Sequence, residues 1–585
     1  MRKLPKFDRV SDIRLGRDAD FDAWLYNMMA DNNIAYHMNP EHVAASEQIR
    51  FMVALEDDQV YLPCSDDTVK LLMEKDAAEL GRQYNRAWRV VMRLVRATCP
   101  DKKSRDRALR FCAYRFRQSV GQRTLIPQRM VKRMTSMLVS LTDDDDPWVM
   151  RRREANARAK QLLDDPATRR LLEMPPAKCM CATIPEIRWE LNYLELSRLM
   201  YLSMQARSWL NAPPSYLSME QDLEKAPALS GPIRGFFGPE TEYSSKTILF
   251  LSDAEGGTVF DLAMLFRIMR MGHKVIFAVK NGFYFFSPTL HDTETDPVLK
   301  KLVSRACIIH DKHLSKNKLL HLLQENRLLI INDGTRERLN LYHTSVSFAR
   351  AWKEADIIIA KGWRNKDVLL DSSHGFTRDI LCYWNDPVDG GYHMQAKAQA
   401  RGSHKFSDVY LRNKAEGIIE EMRKARQNGK TVMFYSCIVG SIPGQTGTAI
   451  QLVNAFVGYL RGKMDGVFIV NPTEQFEEGM DGDDLMYMWE QVQRSNLIDI
   501  WRFQTVEDIE QSFALLGRKI TPVWSGKDAT FSTGCTKEMH IALEMVQQNR
   551  ELQIIGPPSE KFFRRGQYGV GKYFDAKLKD QASYL

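Results

Sequence analysis

Long apolar runs are missing from this chain of 585 residues. No stretch approaches the ~20 residues a helix needs to cross a bilayer, so no membrane span is expected. The opening MRKLPKFDRVSDIRLGRD is charged and lacks the apolar core of a secretory signal, which points to a cytoplasmic protein. Cysteine is sparse: nine residues are scattered from Cys64 to Cys535, a pattern of reduced thiols and not of a disulfide framework. Cys179 and Cys181 form one C-x-C, but no further Cys or His follows at ligand spacing, so a zinc-type site is not expected. A P-loop is absent too, since no G-x-x-x-x-G-K-[ST] occurs.

Charge of one sign is also modest, at +8 for the whole chain. Its densest basic part lies between Arg82 and Lys160, where Arg82, Arg86, Arg89, Arg93 and Arg96 recur at helical spacing. A nucleic-acid footprint is one reading of such a stripe. A solvated helix face, with arginine stems covering apolar surface, is the favoured one, because no nucleic-acid motif or interleaved aromatic pattern accompanies it.

What is present is enough for large cores: 44% hydrophobic and 27% charged residues are globular proportions, and the length calls for several domains. Residues 1–240 read as mainly helical, ending in a Pro- and Gly-rich connector from Asn211 to Glu242. Within that part, Asp143 to Asp146 read as a turn that caps the helix containing Arg151. Residues 241–390 alternate strand and helix. Ile248–Leu251 is a short apolar run, Val259–Met271 an apolar-periodic helix and Val275–Val279 a second strand. Arg327–Asn332 and Asp356–Ala360 repeat the pattern, with a helix over Ser345–Glu354 between them. Alternation of this kind predicts a doubly wound α/β domain on a parallel sheet. A linker and helix are expected over 391–425, with loop or linker from Trp384 to Asp408. A Rossmann-like α/β unit follows over 426–560, with strands at Val432–Tyr435, Val467–Val470, Ile498–Trp501, Ile520–Trp524 and Leu552–Ile555. Residues 561–585 read as a polar tail.

Open α/β sheets bind ligands at the carboxyl ends of their strands. Three loops there carry chemistry: Asp253 and Glu255 after the first strand, Asp292 after the second, and Lys361 with Asn365 further on. Carboxylates from separate strand ends suit a hard divalent cation, and a lysine suits a phosphoryl oxygen. Carboxylates at strand ends are by themselves a weak signal, because aspartates commonly cap helices at those same places.

The stretches SDAEGGTVFDL (252–262), SPTLHD (287–292) and EADIIIAKGWRN (354–365), in that order, resemble the damage-control phosphatase family, also called acidic-residue methyltransferase-like. The resemblance covers roughly residues 246–384. It implies a metal-dependent phosphatase using Mg²⁺, Mn²⁺, Co²⁺ or Ni²⁺ on small phosphorylated metabolites such as sugar or nucleotide phosphates. Carried over, Asp253 and Asp292 would be metal-binding aspartates, Lys361 the phosphate-contacting lysine with Asn365 beside it, and Asp261 the aspartate of the following helix. The sequence departs from the family at Ala254, where an Asn ligand is usual, at Gly257, where a Glu is usual, and at His291, where an Asn is usual. Glu255 or His291 is the candidate replacement. Two alternatives stay open: a carboxyl methyltransferase-like enzyme, and a non-catalytic phospho-ligand-binding or regulatory protein on a degenerate phosphatase scaffold. In the last unit, Gly440, Gly444 and Gly447 sit in a glycine-rich turn between strand and helix that is either a phosphate loop or an ordinary cap.

Overall fold

The computed structural model describes residues 7–563, apart from 33, 35–45, 57–58, 74–77, 100, 123, 143, 177–180, 213, 239–244, 388–389, 443–444 and 478. Asp143, Cys179, Gly444 and nearly all of the polar tail therefore lie outside the described residues. The chain divides into two units, Met1–Ser403 and His404–Leu585.

The first unit is built on seven strands: β1 Thr247–Leu251, β2 Lys274–Val279, β3 Cys307–Ile309, β4 Leu328–Asn332, β5 Ile357–Lys361, β6 Asp379–Asn385 and β7 Tyr392–Lys397. Their order in the sheet is β3-β4-β2-β1-β5-β6-β7, parallel throughout except for β7, which runs antiparallel to β6. β1 to β5 read as apolar because both faces are covered, the usual condition of a parallel sheet. Ile248, Phe250, Phe277 and Ile359 face one core, with the helices Ile184–Asn211 and Thr258–Arg270. Leu249, Leu251, Ile276 and Ile358 face the other, with the helix Val346–Glu354. At roughly 1.5–3 kcal/mol for each large apolar side chain removed from water, these two layers hold the sheet.

β6 and β7 fall partly in the stretch read from sequence as loop or linker. β7 is an edge strand with only Tyr392 buried, so its hydropathy carries almost no signal. The amino-terminal helices form a further core around Leu80, Val91, Leu94, Met130 and Met134, and the aromatic Phe283 from the loop after β2 joins it.

The second unit holds a four-stranded parallel sheet, β11-β10-β8-β9, from β8 Thr431–Ser436, β9 Val467–Val470, β10 Ile500–Phe503 and β11 Gln553–Ile555. The strand expected at Ile520–Trp524 is not formed. Ile520 and Val523 are exposed, Pro522 has no N–H for a ladder, and only Trp524 is buried, against Phe513. Among the described residues, no helix is long and apolar enough to cross a membrane.

Candidate active site

β1 and β5 are neighbours, but the chain leaves β1 toward β2 on one side and leaves β5 toward β6 on the other. This is the sheet's switch point, where the strand ends splay and leave room for a ligand. The turn after β1, Ser252 to Gly257, meets the turn after β5, Gly362 to Asn365. Asn365 ties them together, its Nδ2 donating to the carbonyls of Ser252 (3.1 Å) and Lys361 (2.8 Å).

Two glycines make the approach possible. Gly362 has φ +92°, and a Cβ there would stand 2.0 Å from Asp253 Oδ2. Gly257, at φ +86°, would place a Cβ 2.6 Å from Ala206 and 3.2 Å from Lys361 Nζ. The Glu usual at position 257 in the resembling family has no space here.

Asp253 is buried. Its Oδ1 accepts from the amide of Ala254 (2.7 Å) and lies 3.6 Å from Arg364 Nη1, while Oδ2 is buried with no hydrogen-bond partner. Burial raises its pKa; Arg364 opposes that rise and the Glu255 charge adds to it. Glu255 goes the other way. Burial alone would raise it, but Arg364 at 2.6 Å and Arg207 at 2.7 Å hold its carboxyl well below the usual range. Glu255 therefore bridges two guanidinium groups on the wall of a cavity of about 930 Å³.

Lys361 is fully buried beneath this wall. Its ammonium donates to Asp261 Oδ1 (2.8 Å) and to the Gly256 carbonyl (2.7 Å), and Ser203 Oγ donates to the same Asp261 oxygen (2.5 Å). Lys361 does not line the cavity. It fixes the β1 turn from below and, with Ser203, opposes the rise in the Asp261 pKa that burial causes.

Asp292 is not brought to Asp253. It closes a capping box with Thr289 at the start of the helix Leu290–Thr295, and it receives Arg152 through Nε (2.9 Å) and Nη2 (3.0 Å). Arg152 is itself held by Asp146, which also accepts from the amide of Trp148. His291, the residue before it in that helix, is exposed, and neither residue lines the cavity. Helix capping, the common alternative use of a strand-end aspartate, is thus the observed role of Asp292. Among the described residues, no group of three or more His, Cys, Asp or Glu is arranged to hold a metal ion. The orphaned oxygen of Asp253 is one available donor, but Ala254 supplies none and Arg364 already places positive charge beside it. These residues do not make a divalent-cation site, which takes several oxygen ligands.

The cavity opens over the ends of β1, β2, β4 and β5 and reaches the helix Ala78–Thr98. Ten arginines and lysines line it against five carboxylates. Sequence reasoning passed over Arg207 and Arg364; the only signal for the latter was its position two residues beyond Gly362, at a strand end. After β4, Glu337 is buried and paired with Arg129, Lys132 (2.9 Å) and His343 (2.8 Å), contacts that hold its pKa down against the effect of burial. Two further donors of this loop are buried and unpartnered, Arg338 Nε and Asn340 Nδ2. Each such group costs roughly 1–3 kcal/mol unless a ligand or water satisfies it.

Residues 84–383 match the damage-control phosphatase ARMT1-like domain, just over half of the chain. The chain belongs to this family. Members of the ARMT1-like family are generally metal-dependent phosphatases of metabolites, so a phosphatase-type role on small metabolites is the general expectation. Among solved structures, the chain is similar to a DUF89 family protein from Pyrococcus horikoshii at 18% identity, covering 53% of this chain and 96% of that one, with a TM-score of 0.36. No curated protein matches the chain.

In the second unit, Gly440 and Gly447 are exposed, flanking the start of the helix Thr446–Lys463. Its N-cap, Gln445, makes no side-chain capping bond. Cys437 and Cys535 are buried with their thiol pKa values pushed up by burial, so neither is an activated nucleophile.

Proposed function

We propose that this protein binds a small phosphorylated metabolite, a sugar or nucleotide phosphate, in the cavity at the β1/β5 switch point and hydrolyses its phosphoryl group. The observation that carries this reading is the Arg207–Glu255–Arg364 bridge on the cavity wall. Guanidinium forks match phosphate oxygens as well as carboxylate oxygens, so an incoming phosphoryl group has two fixed donors beside the β1 turn. Their charge would stabilise the negative charge that builds on the transferring group, the contribution that is usually largest in such reactions. Asp253 stands behind Arg364 with a free oxygen and a raised pKa, which suits a group that exchanges a proton near neutral pH. No step here passes through a metal, because the side chains of the described residues do not assemble a site for one.

A second reading has its own observation. Ala254 offers no ligand, and Asp253 and Asp292 each face an arginine, so the scaffold binds the phosphorylated compound without cleaving it. One assay separates the two. Purified full-length chain is given a panel of sugar and nucleotide phosphates, with chelator or with Mg²⁺, Mn²⁺, Co²⁺ or Ni²⁺, alongside Asp253→Asn. Phosphate release that the variant loses supports hydrolysis. No release under any condition, with a phosphorylated compound still raising the melting temperature, overturns hydrolysis and leaves binding.

A further inference from the structure

We infer that the cavity is built for a ligand carrying at least two phosphoryl groups, the second held by a wall made of the helix Ala78–Thr98 and the loop after β4. This rests on the reading of the cavity as a phosphorylated-metabolite site and specifies its substrate class.

Arg86 and Arg93 are seven residues apart on that helix and so lie on one face, with Arg96 a turn further on. All three line the cavity together with Ala87, Val90 and Leu94 from the same side of the helix. They are exposed, and none makes an ion pair among the described residues, whereas Arg82, which does not line the cavity, is paired with Glu79. Like charges one turn apart oppose each other, so this stripe gains nothing from its own helix. A merely solvated face does not explain why these arginines border a concavity shared with Arg207 and Arg364.

The loop after β4 adds a built element. Arg338 and Asn340 are both more than nine-tenths buried, both line the cavity, and each carries the unpartnered donor described above. The other end of the Arg338 guanidinium is anchored on Asp367, three residues along the same helix from Arg364. The β4 loop and the Arg207–Arg364 pair thus form adjacent donor sets in one cavity.

Charge and size agree. The excess of five cations over carboxylates exceeds what one phosphoryl group, carrying at most about two negative charges, can balance. At about 930 Å³ the cavity stands near the top of the range for small-molecule sites, roughly 300–1,000 Å³. A bisphosphorylated sugar and a nucleoside polyphosphate share the required chemistry. Trp148 and Phe285, in edge contact at 6.0 Å on the cavity wall, give the second a surface for its base.

The test is isothermal titration of the full chain with fructose 1-phosphate against fructose 1,6-bisphosphate, and with AMP against ADP and ATP, at one salt concentration. The expected result is binding about tenfold or more tighter for the doubly phosphorylated member of a series, which series it is identifying the ligand body. Arg86→Gln with Arg93→Gln changes two exposed side chains. It should remove most of that preference while leaving the monophosphate affinity within about twofold. Equal affinity for one and two phosphoryl groups in the wild type overturns the inference and leaves the proposed function standing. So does a variant that weakens both members alike, or a single-stranded oligonucleotide that competes as well as the small ligands. If no phosphorylated compound binds, the proposed function falls with it.

Discussion

Replacing Lys361 with methionine removes the ammonium that neutralises Asp261 in the floor of the site. Both side chains are buried, at 0% and 1% exposure, and the replacement is close in volume, so the effect is electrostatic. Loss of one partner of a buried pair typically costs about 3–5 kcal/mol. Here the cost has a ceiling, because Asp261 can take up a proton instead. At pH 7, protonating a carboxyl of ordinary pKa near 3.9 costs about 4 kcal/mol, at about 1.4 kcal/mol per pH unit. In the variant the folded state then holds a proton that the unfolded state lacks, so its stability falls as pH rises. Because burial already raises the Asp261 pKa in wild type, the deficit should grow by at most about 3 kcal/mol between pH 5 and pH 7, above a pH-independent part of about 1 kcal/mol for the lost bond to Gly256. Guanidinium unfolding at several pH values measures it, with hydrogen exchange of the β1 and β5 amides assigning the transition to this sheet. Adding Asp261→Asn should abolish the pH dependence. A deficit that does not change with pH, or a double variant worse than Lys361→Met alone, refutes the reasoning.

Gly362→Ala, whose Cβ would strike Asp253, should cost more than about 3 kcal/mol, while Gly272→Ala, with a similar positive φ and open space around it, should cost only about 1–2 kcal/mol by denaturant midpoint. Asp253→Asn should leave the unfolding midpoint at pH 7.5 unchanged or raise it, since it relieves a buried carboxylate whose pKa is already elevated. Asp292→Asn should lower the stability by about 3 kcal/mol because Arg152 loses its buried partner, and equal effects of the two variants would contradict their assignment to site and scaffold. His374, buried and accepting from the Leu62 amide, has its pKa pushed down to about 3 by burial. Its unfolded form protonates first as pH falls below 6.5, so wild type should lose about 2 kcal/mol from this group between pH 7 and pH 5. His374→Gln should lose correspondingly less over that interval in pH-dependent unfolding.

Local chemistry was enough to read the four central strands of the first sheet from the chain. The apolar runs at β1, β2, β4 and β5 are bounded by polar turns and buried on both faces, so hydropathy alone marks them. The order of SDAEGG, SPTLHD and KGWRN along the chain likewise carried the family, which the match over residues 84–383 shows. The strands that hydropathy missed are β6, whose buried run Ile380–Trp384 went unread, β7, an edge with a single buried residue, and the three-residue β3, too short to show a period. Roles within the site depended on distances that no spacing encodes. Asp253 and Asp292 look equivalent in sequence, yet one keeps an unpaired oxygen at the switch point and the other closes a helix cap against Arg152, which lies 140 residues earlier. Lys361 at a strand end reads as a ligand-facing cation, and the fold turns it inward to Asp261. The arginines of Ala78–Thr98 read as a solvated face, and only tertiary packing brings them to the same cavity as Arg207 and Arg364. Pairing of charges is a property of three-dimensional proximity and burial. Composition and periodicity therefore marked the buried strands at the centre of the sheet, while the structure alone decided its edges, which charges are neutralised within it and which are left to meet a ligand.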